Sequence, residues 1–268
     1  INTYETNVLG TLYALEAARK IDSVKVFVNV TTDKCYENGE RIWSYRENEA
    51  LGGHDPYSSS KACSEILTAS YRLSYLNQNA EESFRLASAR AGNCIGGGDW
   101  SNNRLIPDIV RCIEAQQMLD IRSPYAIRPW QHVIEPVYGY LLLAEKLWDS
   151  KQYAQAWNFG PQLSNTISVR QLLEKASQFA WEKFHYSFTD NTAFHEAQTL
   201  RLDITKACLK LGWLPQLDIN KTIEWTFDWY NSYYKKNQMF DKTLQQWNEY
   251  IKLVSKIRDN HEKAPIMA

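Results

Sequence analysis

A helix that runs almost directly into a short apolar strand leaves a chain few folds to choose from. Residues 2–20 carry Val8, Leu12 and Leu15 at i, i+4 and i+7, the spacing of one helical face. Residues 24–30, Val-Lys-Val-Phe-Val-Asn-Val, follow and read as a buried parallel strand. A helix feeding such a strand is the second half of a strand–helix–strand unit. The strand ends in Thr31-Thr32-Asp33-Lys34. Asp55-Pro56 then supplies a cap and a first-turn proline, which predicts a helix over 57–76 opening with Tyr57-Ser-Ser-Ser-Lys61. Tyr57 and Lys61 stand one turn apart on one face. An ammonium there favours the phenolate, and a hydroxyl at a neighbouring strand end completes a proton-handling site.

The rest of the chain continues the alternation. Strands are expected at 85–90, 118–122 and 156–159, with strand-like stretches near 184–188 and 199–202. Helices are expected at 107–117, 136–150, 168–182, 204–211, 219–236 and 241–258. The last puts Leu244, Trp247, Ile251, Val254 and Ile257 on one face, read as packing on its own domain. Residues 35–55, 94–106 and 123–132 read as loops.

Composition excludes several classes. At 268 residues and 44% apolar, the chain can build one large core or two small ones. A net charge of -1 gives no electrostatic footprint for nucleic acid or an acidic membrane. The longest apolar runs, such as Leu141-Leu-Leu-Ala144, are too short to span a bilayer. Cys35, Cys63, Cys94, Cys112 and Cys208 are odd in number and contain no C-x-x-C. That pattern argues for a reducing cytoplasm and against a disulfide framework or zinc site. His132 and His195 are too isolated to start a metal site.

Taken together, the strand, Thr-Asp-Lys, capped helix and Tyr-Lys pattern resembles the extended short-chain dehydrogenase/reductase family, and within it the nucleotide-sugar 4,6-dehydratases. Further matching segments are Asn7-Val-Leu-Gly-Thr11, Ala89-Arg-Ala-Gly-Asn-Cys-Ile-Gly96, Ile127-Arg-Pro-Trp-Gln-His-Val133, Trp157-Asn-Phe-Gly-Pro161 and Leu211-Gly-Trp-Leu-Pro215. Thr32-Asp-Lys-Cys-Tyr36, Gly96-Gly-Gly-Asp-Trp100 and Arg128-Pro-Trp-Gln-His132 are similar to the branch that acts on CDP-glucose.

The resemblance implies an α/β fold: a Rossmann-type doubly wound parallel sheet with a smaller α+β substrate-binding lobe. Residues 1–92 and 118–140 would form the NAD-binding part, and 93–117 and 141–268 the nucleotide-sugar lobe, interleaved. No G-x-G-x-x-G stands between a strand and a helix, and Gly96-Gly97-Gly98 opens no phosphate-cradling helix. The first Rossmann half, on the order of ninety residues, is therefore expected to be missing.

The implied chemistry is a hydro-lyase reaction with NAD, a step toward the dideoxy sugars of surface polysaccharide. Tyr57 would be the base at sugar C4, Lys61 would assist it and hold the nicotinamide ribose, and Thr32 would hydrogen-bond the C4 oxygen. Asp33 would protonate the leaving C6 hydroxyl. Lys34 falls where related enzymes carry a Glu that removes the C5 proton, which leaves the C5 base open between Lys34 and another group. Arg128 would clamp the substrate diphosphate, and Asn93 and Arg104 would close over the nucleotide sugar. Asn7 would support the cofactor site, or cap its helix. A homodimer through helices 2–20 and 57–76 is expected. The alternatives are a nucleotide-sugar 4-epimerase on the same fold, which has no use for an acid–base pair at 33 and 34, and a non-catalytic nucleotide-sugar-binding protein.

Overall fold

The computed structural model describes residues 1–76, 84–189 and 200–263, the side chains through Lys256. In chain order the helices are α1 (Asn2–Tyr4), α2 (Gly10–Arg19), α3 (Pro56–Ser74), α4 (Leu105–Ala115), α5 (Ile134–Asp149), α6 (Val169–Phe179), α7 (Ile219–Tyr234) and α8 (Met239–Lys263). The strands are β1 (Val26–Val30), β2 (Arg85–Ala91), β3 (Cys94–Ile95), β4 (Met118–Ile121), β5 (Ile127–Pro129), β6 (Gln131–His132), β7 (Ala156–Phe159), β8 (Thr166–Ser168) and β9 (His185–Phe188). They divide between two compact units, one of residues 1–93, 136–161 and 196–214, the other of residues 94–135, 162–195 and 215–268.

The first unit is built on a parallel sheet of order β1-β2-β7. Side chains alternate across a sheet, so Leu86, Ser88 and Arg90 face one way and Ala89 and Ala91 the other. Leu86 packs with Leu15 and Ala18 of α2 and Tyr71 of α3. On the opposite face Phe159 of β7 meets Tyr140 of α5 edge-to-face, with ring centroids 5.4 Å apart. Helices thus cover both faces, as a doubly wound sheet requires. The expectation of a buried β1 needs correcting. The strand is parallel, but none of its five residues is fully buried and Val30 is 46% exposed. It lies at the sheet's edge, and only its Phe27 and Asn29 side face meets α2 and α3.

Residues 141–161 and 200–214 belong to this unit, not to the sugar lobe where they were expected. The reason is packing on β7. A Cβ on Gly139 would press into the Phe159 ring, and Trp213 stacks edge-on against that ring at 5.0 Å. Leu202 forms a bridge with Tyr45 rather than part of a strand.

The second unit has an all-around apolar core. Ile106, Ile109, Val110 and Ile113 form the inward stripe of α4, against Leu172, Leu173 and Ala176 of α6 and Ile223, Phe227 and Tyr230 of α7. Short strand pairs border it: β3 with β6 and β4 with β9 in parallel, β5 with β8 antiparallel. Residues 118–135, expected in the Rossmann part, lie here because β4, β5 and β6 all find their partners in this unit. β3, β5 and β6 arise in stretches that read as loops; two or three residues are too few for a periodic signal.

Helix α8 is rotated from the expected face. Gln246, Tyr250 and Val254 are buried, whereas Leu244 is exposed. Polar anchors decide this. Gln246 Nε2 donates to the Trp225 carbonyl at 2.8 Å, and the Tyr250 hydroxyl donates to Glu135 Oε2 at 2.5 Å. Ile257 lies outside the residues with described side chains.

Glu135 is buried and also accepts from the backbone N–H groups of Gln216 and Leu217, at 2.7 and 2.6 Å. Burial pushes its carboxyl up to about 7, outweighing the hydrogen bonds from Tyr250, Leu217 and Gln216 that pull it down. The folded state therefore holds a proton there more tightly than the unfolded chain does. The resulting stability is present below the ordinary glutamate range and is lost as pH rises through about 7. Relative to Glu135→Gln, the native protein is expected to lose up to about 1.4 kcal/mol per pH unit across that window. Denaturant titrations at pH 5 and pH 8 of both proteins check it; parallel pH profiles would contradict it.

Candidate active site

Strand β1 ends at Val30 and the chain turns through a 3-10 helix, Asp33–Cys35, whose cap is Thr32. The Thr32 hydroxyl accepts from the Lys34 backbone N–H at 3.4 Å and donates to Asp33 Oδ1 at 3.0 Å. Asp33 is 2% exposed. Its other oxygen meets the Asn93 amide at 3.5 Å. Gly92 lies beneath: a Cβ built there would fall inside the Asp33 carboxyl group. Asn93 takes the left-handed conformation at φ +50°, which Asn tolerates better than most residues. The turn after β1 and the turn after β2 thus enclose one carboxyl between a hydroxyl and an amide.

Asp55 caps α3, accepting from the N–H groups of Tyr57 and Ser58 at 2.9 and 3.0 Å, with Pro56 in the first turn. That fixes where the helix starts, and so which face carries Tyr57 and Lys61. Tyr57 is 44% exposed. Lys61 is half-buried; burial pulls its ammonium below the usual lysine range, while Cys35 and Glu65 push the other way. Lys34 is exposed, and its charge is felt by Asp55.

Asn7 does not cap its helix. It sits in a π-helical stretch, Glu5–Leu9, between α1 and α2. Its amide donates to the Ser60 hydroxyl at 2.9 Å, which donates to the Tyr57 carbonyl at 2.7 Å. Arg104 and Arg128 belong to the second unit. Arg104 is exposed and paired with Asp99 at 3.2 Å. Arg128, on β5, donates to the Ile127 carbonyl at 2.9 Å. Buried His132 has its ring pulled down to about 4 by burial and stays neutral. His195 lies outside the described residues. Among the described residues no group of three His, Cys, Asp or Glu could hold a metal, and no helix is long and apolar enough to cross a membrane.

A buried polar network under the site went unnoticed in the sequence. Glu65, one turn beyond Lys61, is 1% exposed and pairs with Arg90, 3% exposed, at 2.7 Å. Glu65 also accepts from the hydroxyls of Thr31, at 2.5 Å, and Ser88, at 2.8 Å. Arg90 donates to the Tyr36 hydroxyl at 2.8 Å, and Tyr36 donates to Asn158 Oδ1 of β7 at 2.7 Å. One signal was available: a glutamate and an arginine at inward positions of a helix and a strand almost never go unpaired.

A family profile described as GDP-mannose 4,6 dehydratase matches residues 1–226. This chain belongs to that family. The CDP-glucose 4,6-dehydratase of Salmonella typhimurium is 41% identical over 254 residues, 94% of this chain and 71% of the relative. The dTDP-glucose 4,6-dehydratase of Streptomyces antibioticus is 28% identical, with 84% of this chain and 63% of the relative covered. Among solved structures, the dTDP-glucose 4,6-dehydratase of Bacillus anthracis in complex with NAD superposes with a TM-score of 0.72 at 22% identity, covering 85% of this chain and 68% of that one. The UDP-glucose 4-epimerase of Brucella ovis in complex with NAD gives 0.70 at 20% identity, covering 85% and 71%. The family's Rossmann-type fold is the one described above, and the epimerase likeness means that the fold does not choose between the two reactions.

Gly92→Ala is expected to displace Asp33, since the added methyl overlaps its carboxyl group. The strain is expected to cost about 1–3 kcal/mol. A lower denaturant midpoint with unchanged m-value would show it; an unchanged midpoint would mean the turn relaxes freely.

Proposed function

We propose that this chain acts in the NAD-dependent 4,6-dehydration of CDP-glucose to CDP-4-keto-6-deoxyglucose. The observation that carries this reading is the buried Asp33 carboxyl, held between Thr32 and Asn93 at the strand end. A 4-epimerase needs a hydroxyl and a Tyr-Lys pair but no acid for a leaving hydroxyl. The 41% identity to a relative named for CDP-glucose supports the choice of base.

The residues present suit one end of NAD. Tyr57 and Lys61, one turn apart on α3, offer donors for the nicotinamide ribose, and Asn7 steadies the Tyr57 carbonyl through Ser60. The sequence contains no glycine-rich cradle for the pyrophosphate. Bound NAD would supply the hydride acceptor for C4 and, once reduced, the hydride donor for C6.

The protein's part is proton handling and positioning. The Lys61 ammonium stabilises Tyr57 as the phenolate, which accepts the proton of the C4 hydroxyl and becomes the neutral phenol. Thr32 has one O–H, committed to Asp33 in this structure, so it receives the C4 hydroxyl through a lone pair or turns to donate. Asp33 then protonates the C6 oxygen as water leaves. The C5 proton goes to a base at or near Lys34. Arg128 clamps the diphosphate as a bidentate donor, and Arg104 and Asn93 contact the nucleotide sugar. The reading includes a homodimer through helices 2–20 and 57–76, where Leu9, Tyr13, Ile66 and Leu73 are exposed.

The test is to incubate the protein with CDP-glucose and NAD and follow product mass. Loss of one water with no net NADH is expected. Asp33→Asn should lower kcat by about 10²–10⁴-fold with little change in KM. A product of unchanged mass would indicate epimerisation instead, and a wild-type rate in Asp33→Asn would remove the acid role.

A further inference from the structure

We propose that Glu65 is a positioning residue for this reaction: its carboxylate sets the depth and rotation of α3 against the ends of β1 and β2. The proposal rests on the function read above, but its first measurement does not depend on that function.

The geometry carries the proposal. Tyr57, Lys61 and Glu65 fall at i, i+4 and i+8 on α3, so whatever holds Glu65 also aims the other two. Glu65 Oε1 takes the Thr31 hydroxyl, next in sequence to Thr32 and Asp33. Glu65 Oε2 takes Ser88 and Arg90, four and two residues short of Gly92. One side chain therefore links the helix bearing Tyr57 to both turns that enclose Asp33. Arg90 extends the link to Tyr36, just past the 3-10 turn, and to the Glu47 carbonyl at 3.0 Å. An apolar pair of the same volume would bury the helix as well, often at no loss of stability. What the ionic pair adds is direction and charge.

The charge of Glu65 supports it through the groups around Lys61. Two groups oppose the effect of burial on its ammonium: Cys35, in the turn after β1, and Glu65, on its own helix. Burial pushes the Cys35 thiol far above its ordinary value, so it stays neutral. Glu65 is the reverse case. Burial pushes its carboxyl up, but the Arg90 charge and hydrogen bonds from Arg90, Thr31 and Ser88 outweigh it, and it is held below the usual range. The other charged or titratable groups facing it are Arg72, on its own helix, and Tyr36, beside Arg90. Glu65 thus supplies the negative charge that acts on Lys61, and a protonated Lys61 is what lets Tyr57 serve as base.

The test uses Glu65→Gln, which keeps the side chain's shape, and Glu65→Gln/Arg90→Gln, which leaves no unbalanced buried charge should the single variant fail to fold. Circular dichroism confirms folding, and NMR of the isotopically methylated lysine, assigned with Lys61→Arg, reads the Lys61 titration midpoint. That midpoint is expected to be lower in the folded variant than in the native protein. With CDP-glucose and NAD, kcat is expected to fall about tenfold while KM stays within about twofold, and the alkaline limb of the rate profile should move to lower pH. A lowered Lys61 midpoint in a protein that turns over no nucleotide sugar supports the electrostatic link and faults the functional reading alone. A folded variant whose Lys61 midpoint and kcat match the native protein overturns the proposal, since a purely structural Glu65 would change only the denaturation midpoint.

Discussion

The Glu65–Arg90 ion pair lies where α3, β2 and the turn after β1 meet, beneath the candidate site. Taking two charges out of water is costly, and the cost is offset only when every remaining lone pair and proton finds a partner. Thr31, Ser88, Tyr36 and the Glu47 carbonyl supply most of those partners, and only the Arg90 Nε–H is left without one. Because Ser88 lies on β2 and Thr31, Tyr36 and Glu47 lie in the loops that follow β1, the pair can form only when the parallel register of β1 and β2 is correct. A slip of one residue would turn Ser88 and Arg90 to the other face of the sheet. The same interaction therefore ties the register of the sheet to the placement of α3.

The second unit is organised differently. Its core is apolar, built from isoleucine- and leucine-rich stripes on α4, α6 and α7. Small residues let aromatic rings approach the backbone there. A Cβ on Gly97 would fall inside the Trp229 indole, and Trp229 stacks on Tyr233 at 6.0 Å. The polar exception is Glu135, which collects two backbone donors and Tyr250 and so pins α8. One unit thus buries a charged pair to align a site, while the other buries a single carboxyl to hold a helix.

Much of the site was legible in the sequence because it rests on local rules. Asp55-Pro56 announces the start of α3, and the four-residue step from Tyr57 to Lys61 follows from helical geometry alone. Strand–turn chemistry marks Thr32 and Asp33 at the end of β1. The missed parts are non-local. Nothing near Arg90 in the sequence names Glu65 as its partner, and nothing near Asn7 points to Ser60. On α8 apolar periodicity ranks Leu244 as inward, whereas hydrogen bonds from Gln246 and Tyr250 set the rotation and leave it exposed.

By itself the sequence determined the longer helices, the longer parallel strands and a set of candidate site residues, since capping, periodicity and side-chain identity act within a few residues of one another. Tertiary structure alone decided that residues 141–161 join the first unit and that Asp33 is held between Thr32 and Asn93. Those outcomes depend on contacts between segments far apart in the chain. Their free energy appears only when the segments meet, and no local pattern records it.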